Sequence, residues 1–293
     1  MEYKTASRRL FEIFNYLFLT VFCISIIVPF VNALAISFSS YDAIASGSIG
    51  LWPKKFTFDS YVKLVNSKQF MQSVLNTVFL TGVKTVLVII NSLAAGYVLS
   101  HKHLLGRSTV FVFLMIPMFF SGGLIPTYLL MNKIGLYNTY GALILPAIVN
   151  IFYVIVFRNT INQLPQELLE SAEMDGAGEL RILFKIILPL VLPMTMAFVV
   201  FSAVAFWNEW FNVLIYIRDR SMWTLQYQLR DILLNSALID HETKRSLVSS
   251  EPQIHPDNLK MAALMVTVLP IIAIYPFVQK YFIHGQLVGA VKG

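Results

Sequence analysis

The chain is short of charge, of cysteine and of repeats. Of its 293 residues only 13% are charged while 57% are hydrophobic, and the mean hydropathy is +0.68. Soluble domains carry about 25% charged residues, so that class is excluded. The single cysteine, Cys23, lies inside the first apolar run, which removes an internal disulfide and a cysteine metal centre. His241, His255 and the acids near them are not at metal-ligand spacing, and no metal is expected. His101 and His103 fall in a short basic turn and read as interfacial. A GxxxxGK[ST] phosphate loop is missing, so this chain does not hydrolyse ATP itself. The net charge of +6 is scattered through loops without a basic block, which argues against nucleic acid as a partner. Matching halves, parallel or inverted, are also missing, and secondary carriers commonly have them.

What is there is apolar length. Spans are predicted at roughly 12–38, 74–99, 109–131, 139–157, 190–216 and 259–279, each near or above the roughly 20 residues that cross a bilayer core. The fold class expected is an all-α membrane protein with six transmembrane helices. Residues 1–11 precede the first span, whose apolar run is too long for a signal-peptide core. Prolines inside several spans (Pro29, Pro117, Pro146, Pro193, Pro270, Pro276) call for neighbours that re-satisfy the backbone, hence a packed bundle. Loops 40–70 and 217–258 are the long ones on one side, the first expected to hold a strand-like piece and an amphipathic helix. Residues 158–189 and the tail 280–293 fall on the other. Arg8, Arg9, Lys102 and Arg107 beside span ends favour cytoplasmic N- and C-termini.

One stretch looks built to stay out of lipid: ESAEMDGAGELRILFKIILP, residues 170–189. Pro165 suits a first helical position, and Leu164, Leu168 and Ala172 follow at i, i+4 and i+8. Glu167, Glu170 and Glu173 take the other sides of that short helix. Asp175-Gly176-Ala177-Gly178 breaks it. A second amphipathic segment places Leu180, Leu183, Phe184, Ile187 and Leu188 at helical spacing before Pro189. The physical reading is a surface helix–turn–helix that either meets an outside partner or merely joins two spans.

Glu170-x-Ala172-x-x-Asp175-Gly176-Ala177, followed by Phe184-x-x-Ile187-Leu188-Pro189, resembles the EAA loop of ABC importer permeases. The departure is Ser171, where that family usually has alanine. Asn76-Thr77, Ala94-Ala95-Gly96-Tyr97, IPTYLLMNKIGLYNT (125–139), WNEW (207–210) and the terminal QKYFIHGQLVGAVKG resemble the maltose-type carbohydrate permeases, so the likeness covers nearly the whole chain. The resemblance implies that Glu170, Ser171, Ala172, Asp175, Gly176, Ala177 and Gly178 form a coupling helix seated in a cytoplasmic ATPase. It implies that the tail, with Gln279, Lys280, Gly285, Gly289 and Lys292, inserts at the same interface. A second permease, two ATPase subunits and an extracytoplasmic solute-binding protein are the implied partners. This chain would bind no cofactor, ATP and Mg sitting on the ATPase subunits. The implied home is the bacterial cytoplasmic membrane, and the implied substrate an oligosaccharide or polysaccharide fragment, an acidic one being compatible with the basic outer residues.

Two further clusters carry chemistry. Lys84 lies mid-span, where an unpaired cation costs about 2.5–3.5 kcal/mol, and it is expected either to pair with Glu209 or to line the transport path with it. Around Glu209 stand Trp207, Asn208, Trp210 and Asn212, a mixture of rings and amides suited to a sugar path; an aromatic belt with interhelical hydrogen bonds is the plainer reading. Trp223, Tyr227 and Arg230 in the outer loop are candidates for contact with the binding protein. A proton-coupled secondary sugar carrier stays open as the alternative function, since it would also use Lys84 and Glu209.

Overall fold

The computed structural model describes residues 6–120, 122–234 and 254–290, with side chains through 274. Among the described residues it is helical throughout: α1 (Ala6–Ser37), α2 (Tyr41–Ala45), α3 (Asp59–Asn66), α4 (Lys68–Val98), α5 (Arg107–Phe119), α6 (Leu124–Lys133), α7 (Tyr140–Ile144) and α8 (Ile151–Ile161). Then follow α9 (Gln166–Met174), α10 (Glu179–Ile182), α11 (Leu188–Leu190), α12 (Leu192–Trp207), α13 (Phe211–Tyr216), α14 (Leu225–Leu234) and α15 (Pro256–Ala290). The strand-like piece expected in 40–70 is a single bridge, Ser39 to Phe56, and the amphipathic helix expected there is α3.

Four helical stretches are long and apolar enough to cross a membrane, or six if each of two bent pairs is one span. One bent pair is α5 with α6, at 114°; the other joins Glu179–Leu190 to α12 at 85°. Pro189 and Pro193 lie at the second bend, where each removes an N–H from the helical ladder. Just before it the backbone widens to a π turn at Leu183–Ile187. The predicted fifth span, 190–216, is therefore interrupted: α12 stops at Trp207, and α13 restarts at Phe211. The last helix runs on past 279 as far as Ala290.

The chain divides into two compact units, one drawn from Met1–Lys68 and Leu229–Leu269, the other from Gln69–Gln228 and Pro270–Gly293. In the first unit, Asn258 donates from Nδ2 to the carbonyls of Ile36 and Ser39, closing the end of α1 onto the start of α15. Phe38 collects Phe56, Phe58 and Tyr61 around it, with ring centroids 5.1, 5.5 and 4.8 Å away. Burial pushes the Tyr61 phenol up, against a smaller opposite effect of its bond to Ser37. Only 6% of the apolar window of α1 is buried, so nearly the whole helix presents hydrocarbon outward. Apolar surface of that size needs lipid or another helix to cover it.

In the second unit α4 is the spine. Val88, Ile89, Leu93 and Tyr97 on it share a core with Phe157 and Ile161 of α8 and with Ala172, Ile182, Leu183 and Ile187 beyond. Gly96 marks the crossing: a Cβ there would lie 2.6 Å from the Cβ of Phe157. The backbones of α4 and α8 come that close because position 96 has no side chain.

Candidate functional site

The first candidate site is the hairpin of α9 and α10. Helix α9 ends in a Schellman motif. Gly176 has φ +75°, its N–H bonds the carbonyl of Glu173 at 2.9 Å, and the N–H of Ala177 bonds the carbonyl of Ala172 at 3.0 Å. That motif wants small apolar residues in contact across the turn, and Ala172 and Ala177 both pack into the core under α4. Gly178 differs: its φ is −70°, and its carbonyl accepts from Arg181 and Ile182 to start α10. Only Gly176 has a conformation that requires glycine.

Burial sorts the motif into two faces. Ala172 is buried and Ala177 half-buried, whereas Glu170, Ser171, Glu173, Asp175 and Gly176 are exposed. Ser171 bonds back to the Leu168 carbonyl at 3.1 Å, so the hydroxyl is satisfied within its own helix. Leu164 and Leu169 pack inward with Ala172, but Leu168 is exposed, so the expected Leu164–Leu168–Ala172 stripe holds at two of its three positions. The expected stripe of the second segment splits further. Leu183 and Ile187 are buried and Leu188 half-buried, while Leu180 and Phe184 are exposed and Ile182 is buried instead; the π turn at Leu183–Ile187 widens the helix around Phe184. Met174, which the pattern did not single out, is 88% exposed at the end of α9. The hairpin thus presents carboxylates together with Leu168, Met174, Leu180 and Phe184.

A polar rim fixes the hairpin to the end of α4. The Tyr97 hydroxyl donates to Glu179 Oε2 at 2.6 Å, and His101 Nε2 lies 3.7 Å from the same oxygen. The His101 ring stands edge-on to Tyr97 with centroids 4.6 Å apart. Beside them lies a largely apolar cavity of about 430 Å³ lined by Ala94, Val98, Leu104, Leu180 and Leu183.

The second candidate site is the interruption at Asn208–Trp210. Lys84 is fully buried and its ammonium pairs with Glu209 Oε2. The same nitrogen sits 4.3 Å from the centroid of the Phe206 ring, a cation–π contact in a dry setting. Glu209 Oε1 accepts from Asn212 Nδ2 at 2.6 Å, and the Glu209 carbonyl accepts from the Thr224 hydroxyl at 2.9 Å. Of the two roles expected for Lys84 and Glu209, pairing is what the geometry contains. Asn208 is exposed and accepts from Gln226 at 2.7 Å, and Trp207, Trp210 and Asn212 are half-buried.

Residues 1–286 match the model of the family described as "Binding-protein-dependent transport system inner membrane component". The chain belongs to that family. LplC of Bacillus subtilis is 38% identical to this inner membrane component, over 99% of this chain and 98% of its own. The polygalacturonan/rhamnogalacturonan transport system permease protein YtcP of the same organism is 35% identical, over 97% and 99%. A chain in the crystal structure of a bacterial ABC transporter that imports the acidic polysaccharide alginate superposes with a TM-score of 0.90 at 27% identity, covering 96% of this chain and all of that one. The all-helical fold is therefore that of an ABC permease, and the chain is membrane-embedded.

The outer candidates fall differently from expectation. Trp223 is a packing residue: it is buried with Leu80, Leu143, Val213 and Ile217, and Tyr227 stacks edge-on against it at 4.6 Å. A side chain in that position offers no face to a docked protein in this conformation. Of the three residues proposed for that contact, Arg230 is exposed and Tyr227 half-buried. Asp219 caps the turn before Trp223 by accepting from the Ser221 N–H at 2.9 Å, which holds its carboxyl below the usual range. Gln279, Lys280, Gly285 and Gly289 lie on the helical backbone of α15, whereas Lys292 and the loop 235–253 lie outside the described residues.

Proposed function

We propose that this inner membrane component is one of two permease subunits in an ATP-driven importer of carbohydrate, and that the α9–α10 hairpin is where it meets the ATPase. The observation that carries this reading is the hairpin itself. A Schellman turn locks its shape, small residues seat it under α4, and its outer face combines carboxylates with unpaired apolar side chains. A face of that composition on an otherwise lipid-bound protein suits a cleft in a soluble partner. Two ATPase subunits would carry ATP and Mg, a second permease would cover apolar helix surface such as that of α1, and a solute-binding protein would deliver the sugar. The termini and the hairpin then lie in the cytoplasm, and Arg230 faces the binding protein.

Transport works by alternating access. Closure of the ATPase pair moves the two hairpins, and each carries its own helices with it, so that the path opens to the other side. Trp207, Asn208, Trp210 and Asn212 are the residues of this chain placed on that path. A relative whose name includes polygalacturonan and rhamnogalacturonan, together with the alginate importer fold, supports an acidic oligosaccharide as cargo. A proton-coupled carrier is not favoured, because Lys84 and Glu209 satisfy one another.

Co-expression of this chain with the three partner types tests the reading. The ATPase is expected to co-purify with the wild-type chain, and Glu170→Lys or Gly176→Asp is expected to lose it while still inserting. Normal co-purification and normal sugar-stimulated ATPase activity in both variants would refute the assignment.

A further inference from the structure

Helix α4 carries a polar stripe at heptad spacing that apolar spans do not need. Gln69, Asn76 with Thr77, and Lys84 fall two turns apart on one face, and each is tied to the segment 208–228. Gln69 donates to Gln228 at 3.1 Å. Asn76 Nδ2 donates to the carbonyls of Ser221 and Trp223 at 2.7 and 3.0 Å, while its Oδ1 accepts from Tyr140. The Thr77 hydroxyl accepts from the Leu225 N–H at 2.7 Å. Lys84 holds Glu209. Asn76, Thr77 and Lys84 are all buried. These bonds are directional and cannot slip by a residue without losing every partner at once.

The other end of the same helix carries the hairpin. Val88, Ile89, Leu93 and Tyr97 belong to one core with Ala172, Ile182 and Leu183, and Tyr97 bonds Glu179 directly. From Gln69 to Tyr97 is about 42 Å of continuous helix at ~1.5 Å per residue. Between the two ends no proline interrupts α4, so it is suited to move as one rod.

We propose that α4 is the rail joining the ATPase-facing hairpin to the segment 208–228, and that Lys84 and Glu209 are its positioning pair. They hold the interruption at Asn208–Trp210 in register on the rail and do not touch the transported molecule. This rests on the importer reading above. The pair suits the task because removing one member leaves the other's charge without its partner at a largely buried site, while removing both leaves none. Asn212 and Phe206 fix the carboxylate and the ammonium from the other side, so the pair sets an orientation as well as a distance.

The test is a four-member cycle in the assembled complex: wild type, Lys84→Met, Glu209→Gln and the double variant, with Lys84→Arg as the conservative control. Three quantities are read for each: uptake per assembled complex, the ratio of binding-protein-stimulated to basal ATPase activity, and the thermal unfolding midpoint of the purified complex. Each single variant is expected to lower uptake and the stimulated ratio by about 10-fold, and the double variant to return within about 3-fold of wild type, as coupled partners do. K84R is expected to keep uptake. Non-additive unfolding midpoints across the cycle would support the pair independently of transport. Single variants that insert poorly and also transport less per assembled complex, with both restored in the double, would support it too. The proposal fails if the effects of the two substitutions simply add. It also fails if the apparent sugar KM rises in the singles and stays raised in the double, since that marks ligands on the path. It fails again if the singles assemble less but transport normally per complex. A wild-type complex that shows no stimulation counts against the importer reading instead, and the unfolding midpoints then decide the pair.

Discussion

The two ends of α4 hold their cargo by opposite means. At one end Val88, Ile89, Leu93 and Tyr97 bury apolar surface in the core that also holds the hairpin's Ala172 and Ile182, with a polar rim at Glu179. At the other, Gln69, Asn76, Thr77 and Lys84 grip 208–228 through polar atoms. Apolar contact is non-directional and tolerates small rotations, whereas a ladder of buried hydrogen bonds accepts one register. A coupling element built this way can rock under the hairpin while keeping the distal segment in strict alignment. The small residues of the hairpin motif answer to the apolar end: Ala172 and Ala177 to close packing, Gly176 to a left-handed turn.

The comparison is sharpest where one change touches only one end. At the polar end, Asn76→Ala leaves the Ser221 and Trp223 carbonyls without their donor, and is expected to cost about 2–3 kcal/mol. The check is the unfolding midpoint of the purified complex. At the apolar end, Gly96→Ala drives a Cβ into Phe157 and is expected to cost about 1–3 kcal/mol as overpacking. Its signature should be reduced accumulation in membranes, with the stimulated-to-basal ATPase ratio of what does assemble less affected than in Lys84→Met. Within the hairpin, Gly176→Ala is expected to cost about 1–2 kcal/mol for a left-handed backbone, while Gly178→Ala stays within about 0.5 kcal/mol. Equal effects at the two glycines, measured as ATPase co-purification and unfolding midpoint, would mean that the turn geometry is not what the hairpin depends on.

How far the sequence announces these features depends on whether they are local. The spans, the hairpin and the glycine break are local: apolar run length, Pro165 and Asp175-Gly176-Ala177-Gly178 carry them. The inward set Leu164 and Ala172 also follows from spacing. Leu180 and Phe184 do not: at Phe184 the helix widens into the π turn Leu183–Ile187, which no local signal other than Pro189 marks. The stop at Trp207 is equally hidden. The run 190–216 holds no proline or glycine near residue 208, and the interruption is held by Lys84 and Thr224, which lie 125 and 15 residues away from Glu209. Trp223 reads as an exposed loop aromatic until Leu80 and Leu143 close over it. Asn76-Thr77 and Lys84 stand apart in the sequence reading, and only their partners in 208–228 join them with Gln69 into one stripe.

The central claim is that the outer face of the hairpin seats in an ATPase. Disulfide or thiol cross-linking in the co-expressed complex tests it most directly, comparing Met174→Cys on the hairpin with Ser221→Cys at the far end of α4, both at exposed positions. The account predicts a cross-link from position 174 to the ATPase, strengthened or weakened by ATP, and none from position 221. An ATPase cross-link from 221 with none from 174 would contradict it.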